Sequence, residues 1–102
     1  MKYEIKENWD DYTFGGSAMV GSVIMTRDEL VRRFGEPVQL NGERVKERWH
    51  FVFEDGVVAT IFSDVKVRRQ KENEWFIGGF GKYDSKTKEN LSLRAVKELL
   101  KV

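Results

Sequence analysis

A chain of 102 residues with 18 basic and 17 acidic side chains, one His, one Pro and no Cys has room for one modest core, because a domain this small buries only about 60–70% of the surface its unfolded form exposes. The 40% apolar and 34% charged composition excludes the disordered class, and the absence of cysteine excludes disulfides, thiolate metal sites and a cysteine nucleophile. No run of about 18 apolar residues and no basic-then-apolar leader is present. The expectation is a single domain over residues 1–102, cytoplasmic and without a membrane partner.

In chain order, Tyr3 and Ile5 alternate with charged residues as in a short strand, and Ala18–Met25 forms an apolar run that reads as a buried strand. Thr26-Arg27-Asp28-Glu29 fits a capping box, in which the threonine hydroxyl accepts from the third backbone N–H and the glutamate reaches back to the cap. The helix it opens places Leu30, Val31 and Phe34 on one face, with Arg32 and Arg33 outward. It ends at Gly35, with Pro37 unable to continue it.

A hairpin follows. Trp49, Phe51 and Phe53 alternate with Arg48, His50 and Val52, Glu54-Asp55-Gly56 supplies the turn, and Val57–Phe62 returns. Two registers compete: a three-residue loop pairs Phe53 with Val57 and Trp49 with Ile61, and a two-residue turn pairs Phe53 with Val58 and Trp49 with Phe62. The first is preferred, since it gathers Trp49, Phe51, Phe53, Val57, Ala59 and Ile61 on one face and leaves His50 opposite Thr60, half-exposed, on the other. A further strand spans Glu74–Phe80, and Ser92 is expected to cap a last helix with Leu93, Val96, Leu99 and Leu100 on its apolar face. Two strands, a helix, three strands and a helix indicate an α+β fold, a mainly antiparallel sheet with both helices on one face.

Charge is segregated along this plan. Residues 1–16 carry a net −2, residues 66–72 a net +3 and residues 82–101 another +3. Catalytic chemistry is hard to assemble: His50 lies mid-strand, no G-x-S-x-G elbow occurs, and the acidic pairs at Asp10-Asp11, Asp28-Glu29 and Glu54-Asp55 are explained by a polar arm, a helix start and a turn. One His and no Cys leave only an all-oxygen site for a hard cation, and no loop of the D-x-D-x-D-G kind occurs. The chain is expected not to be an enzyme and to use no cofactor.

Two glycine doublets stand out. Gly15-Gly16-Ser17 follows Phe14, and Gly78-Gly79 follows Trp75-Phe76-Ile77. Consecutive glycines allow backbone N–H groups to converge on an anion, neighbouring aromatic faces stack on a base, and basic residues meet phosphates. The candidate ligand site is therefore Gly15, Gly16, Ser17, Gly78 and Gly79 for the anion, Trp75 for stacking, and Arg68 and Arg69 for charge. The competing reading is that each doublet only ends a strand or admits a close neighbour.

Phe34-Gly35-Glu36-Pro37, Trp49-His50-Phe51-Val52-Phe53-Glu54-Asp55-Gly56, Ala59-Thr60-Ile61-Phe62-Ser63-Asp64 and Glu74-Trp75-Phe76-Ile77-Gly78-Gly79, in that order, resemble a group of small uncharacterised proteins of tailed bacteriophages over about Gly16 to Leu100. The chain departs from the group's pattern at Phe62, where Tyr is expected, and at Phe76, where His is expected. Its Lys82–Asn90 stretch is also longer. The resemblance implies a phage source, and with it action in the host cytoplasm, rather than a mechanism. The resulting expectation is a non-enzymatic accessory protein that counters host defence by sequestering a phosphate-bearing nucleotide signal or occluding a host defence protein. The alternative is a small nucleic-acid-binding module that uses the basic 66–71 segment and the last helix. An apolar outer hairpin face of Val52, Val58 and Phe62 further suggests a homo-oligomer.

Overall fold

The computed structural model describes residues 2–7, 17–40, 45–64 and 73–101. Its elements are β1 (Tyr3–Lys6), β2 (Ala18–Ile24), α1 (Arg27–Phe34), β3 (Val38–Gln39), β4 (Val45–Phe53), β5 (Val58–Asp64), β6 (Glu74–Gly79) and α2 (Leu91–Leu100). The strands form one sheet in the order β1-β4-β5-β6-β2, with β3 also on β4, and every pairing is antiparallel. This is the expected α+β architecture with one extra strand, β3, whose two residues are too short to leave an alternation in the sequence.

The central hairpin adopts the preferred register. Trp49 pairs with Ile61 and Phe51 with Ala59, Phe53 N–H donates to the Val57 carbonyl at 2.8 Å, and Gly56 takes φ 87°, a left-handed conformation that glycine enters without steric cost. Alternation then sends Trp49, Phe51, Phe53, Ala59 and Ile61 to one face. There they form a single core with Trp75 and Ile77 of β6, Leu30 of α1 and Ala95, Val96 and Leu100 of α2. Both helices therefore cover the same side of the sheet.

Thr26 caps α1, its hydroxyl accepting from Glu29 N–H at 3.2 Å. The Glu29 carboxylate turns to Arg32 and Arg33 rather than back to the cap, and these hydrogen bonds, Arg32's first, hold it at a pKa of about 2. The last helix departs from expectation at its start. Asn90 is its N-cap, with Oδ1 accepting from Leu93 N–H at 3.1 Å. Ser92 lies inside the first turn, buried, and donates its hydroxyl to the Val58 carbonyl at 2.7 Å. Both residue types cap helices well; contact with β5 decides between them.

The opposite face of the sheet carries no helix among the described residues, yet much of it is closed. Val58 and Phe76 are buried, with Val52 and Phe62 half-buried, so the expected outer hairpin patch is only partly open. His50, expected half-exposed, is 0% exposed.

Candidate functional site

The pairings align two transverse rows on the helix-free face. One crosses all five strands of the main path as Lys6, His50, Thr60, Gly78 and Met19. The next runs Val38, Arg48, Phe62, Phe76 and Ser22. Where the rows adjoin, Ser17, Met19, Arg48, Thr60, Phe62 and Gly78 line a recess of about 180 Å³.

His50 orients the positive charge of this recess. Arg48 Nε donates to His50 Nε2 at 2.6 Å, and His50 Nδ1 lies 3.1 Å from the Lys6 carbonyl. A guanidinium only donates, so Nε2 must accept and the ring proton sits on Nδ1, directed at the carbonyl. The imidazole is thus neutral and engaged at both nitrogens, which removes it from general-base work. Burial lowers its pKa first, the Arg48 charge lowers it further, and the Lys6 carbonyl partly offsets both. Burial also lowers the Arg48 pKa, but a guanidinium stays charged at any physiological pH.

The floor of the recess depends on Gly78. A Cβ there would overlap the Thr60 hydroxyl and sit 3.4 Å from Phe62 Cε1, so the missing side chain leaves room for Thr60, which lies between His50 and Gly78 in the row. Gly79 faces the other way and admits Ser92 of α2, which a Cβ would overlap. Both glycines lie in the β6 ladder, opposite Met19 and Ala18 respectively. Their role here is close approach within and onto a sheet.

Of the residues singled out from the sequence, the structure brings Ser17 and Gly78 together in the recess. Trp75 does not join them. It is 6% exposed, donates its indole N–H to the Met25 carbonyl at 3.0 Å and packs edge to face on Trp49, leaving no open ring face for a base. Gly15, Gly16, Arg68 and Arg69 lie outside the described residues. Arg48 and Thr60 carry no site signal of their own in the sequence, although the preferred hairpin register sets His50 opposite Thr60; Phe62 is there a candidate for stacking and for the outer hairpin face. The unseen step was the β5–β6 register that adds Gly78.

A larger cavity of about 420 Å³ lies at the hairpin end, lined by residues including Asp55, Val58, Phe80, Lys82 and Ser92. Its two charged groups are exposed and opposite in sign, giving no preference for an anion. Among the described residues, no group of three or more acidic or histidine side chains is placed to hold a metal ion, and no helix is long and apolar enough to cross a membrane.

No protein-family model matches the chain, and comparison with curated proteins and with solved structures gives no match either.

Proposed function

We propose that this chain is a non-enzymatic binding protein that captures a phosphate-bearing nucleotide on the helix-free face of its sheet. The observation that carries the reading is the Arg48 guanidinium, oriented by His50, lining one recess together with the buried Thr60 and the half-buried Phe62. Arginine with a neighbouring hydroxyl suits phosphate, because charge-assisted hydrogen bonds are roughly twice as strong as neutral ones. At about 180 Å³ the recess is smaller than the ~300–1,000 Å³ that encloses a drug-sized ligand. It takes the phosphate and part of the sugar, and the base rests outside against Phe62 and Met19. Such stacking contributes about 1–3 kcal/mol per base.

The resemblance to tailed-phage proteins supplies the biological setting. A stoichiometric protein with a nucleotide site counters host defence by withdrawing the signal, acting in the host cytoplasm. Occlusion of a host defence protein is the other form of the same role, and the basic 66–71 segment keeps a nucleic-acid partner as the alternative.

Titration calorimetry of the protein at about 100 μM, a limit near −5 to −6 kcal/mol, against cyclic and linear nucleotides, inorganic phosphate and a short oligonucleotide tests the reading. Heat with a nucleotide is expected, lost at least tenfold in Arg48→Met and reduced in Thr60→Val, with folding checked by circular dichroism. No heat with any nucleotide overturns it. Binding only to the oligonucleotide, falling steeply with salt through counterion release, transfers the case to nucleic acid.

A further inference from the structure

The two edges of the sheet are unlike. At one, β1 carries Glu4 and Lys6, paired at 3.0 Å, and such charges discourage pairing between sheets. At the other, β2 reads Ala-Met-Val-Gly-Ser-Val-Ile, seven residues without a charge or a proline. It pairs with β6 on one side, and among the described residues no strand pairs with its other side. Met19 and Ile24 on this strand are 58% and 54% exposed. An uncharged edge strand of this length is a template for another strand.

The helix above it indicates which strand. α2 crosses β2 at Gly21, where a Cβ would lie 2.7 Å from Leu93 Cδ1, so the midpoint of the strand lies under Leu93. A groove of about 410 Å³ runs along this flank of α2 past Glu89, Leu93, Lys97 and Lys101. Arg94 on the same flank is shared between Asp84 at 3.1 Å and Glu89 at 3.6 Å, so one cation between two carboxylates leaves the N-terminal end net acidic, while the C-terminal end is basic at Lys97 and Lys101, against a single Glu98. Such a polarity is complementary to its own antiparallel copy.

We propose that β2 pairs antiparallel with β2 of a second copy of this chain about a two-fold axis near Gly21, joining two sheets into one. The same axis sets the two α2 helices side by side, Leu93 near its counterpart and Glu89 facing Lys97 of the other copy. One patch then meets itself, as a closed dimer requires. The main-chain hydrogen bonds come from the strand, and the register from the helix charges.

Sedimentation velocity from about 10 to 500 μM tests this. The wild type is expected at twice the monomer mass in the upper part of that range. Met19→Lys/Ile24→Lys, with both changes at exposed positions and an unchanged far-ultraviolet spectrum, is expected to sediment as a monomer. Lys97→Glu is expected to raise the dimer dissociation constant at least tenfold, and Glu89→Lys/Lys97→Glu to restore it. A wild type that stays monomeric throughout overturns the proposal, as does a dimer that is indifferent to the β2 substitutions. A dimer sensitive to β2 but indifferent to both charge changes overturns the antiparallel helix register.

Discussion

Trp49 and Trp75 meet edge to face with their ring centroids 5.4 Å apart, and between them they hold α1 by both ends. The Trp75 indole N–H donates to the Met25 carbonyl just ahead of the cap, at 3.0 Å, and Trp49 donates to the Gly35 carbonyl at the exit, at 2.9 Å. Either Trp→Phe change removes a buried donor, leaves its carbonyl unanswered and opens a small void. Each is expected to cost about 1–3 kcal/mol. Because the rings touch and share α1, the double variant should depart from additivity by 0.5 kcal/mol or more in magnitude. Urea unfolding of the four proteins in the cycle measures this, and strict additivity would mean the two indoles act independently.

This arrangement marks what the sequence makes legible. Thr26 and Gly35 announce the ends of α1 through local chemistry, and Gly56 with the alternation of Trp49, Phe51 and Phe53 settles the hairpin, because a one-residue slip would turn the core outward. The N-cap of α2 was not settled locally. Asn90 and Ser92 are both good caps, and only the Val58 carbonyl waiting for the Ser92 hydroxyl separates them. The recess needed still more, since Arg48, Thr60 and Gly78 belong to three strands and their alignment rests on the β5–β6 pairing, for which no turn signal exists. Trp75 shows the converse: beside a glycine doublet it reads as a stacking platform, and burial turns it into a clamp.

His50 gives the fold a pH dependence of defined sign. Its pKa is lowered in the folded state, chiefly by burial and then by Arg48, so between the folded value and the ordinary one near 6.5 the unfolded chain binds the extra proton. Stability therefore rises with pH through that window, levels off above about 6.5, and falls as the medium is acidified. Protonating Nε2 would also set a donor against the Arg48 Nε–H. In His50→Gln the slope just below about pH 6.5 should flatten, whatever the variant's absolute stability. Urea midpoints at several pH values read this directly, and an unchanged slope would assign the dependence to another group.

The glycines of the sheet are expected to rank by what stands over them. At Gly79 an added methyl would overlap Ser92, whose backbone belongs to α2 and whose hydroxyl is tied to Val58. The helix would have to lift, and Gly79→Ala should cost about 2–3 kcal/mol. At Gly78 the obstacle is the Thr60 hydroxyl with the Phe62 edge behind it, and about 1–2 kcal/mol is expected. At Gly21 the obstacle is the far end of one flexible side chain, the Leu93 methyl groups and Cγ, which can shift together by rotation about its first bond, so the cost should be the smallest of the three, about 1 kcal/mol. Thr60→Ala should rescue part of the stability of Gly78→Ala and none of that of Gly79→Ala, which thermal unfolding can resolve. The same pair separates fold from function. Gly78→Ala displaces the Thr60 side chain in the recess and should weaken nucleotide binding in calorimetry run well below the melting temperature. Gly79→Ala acts on the helix side and should leave binding intact under those conditions, and equal losses in both would place the ligand elsewhere.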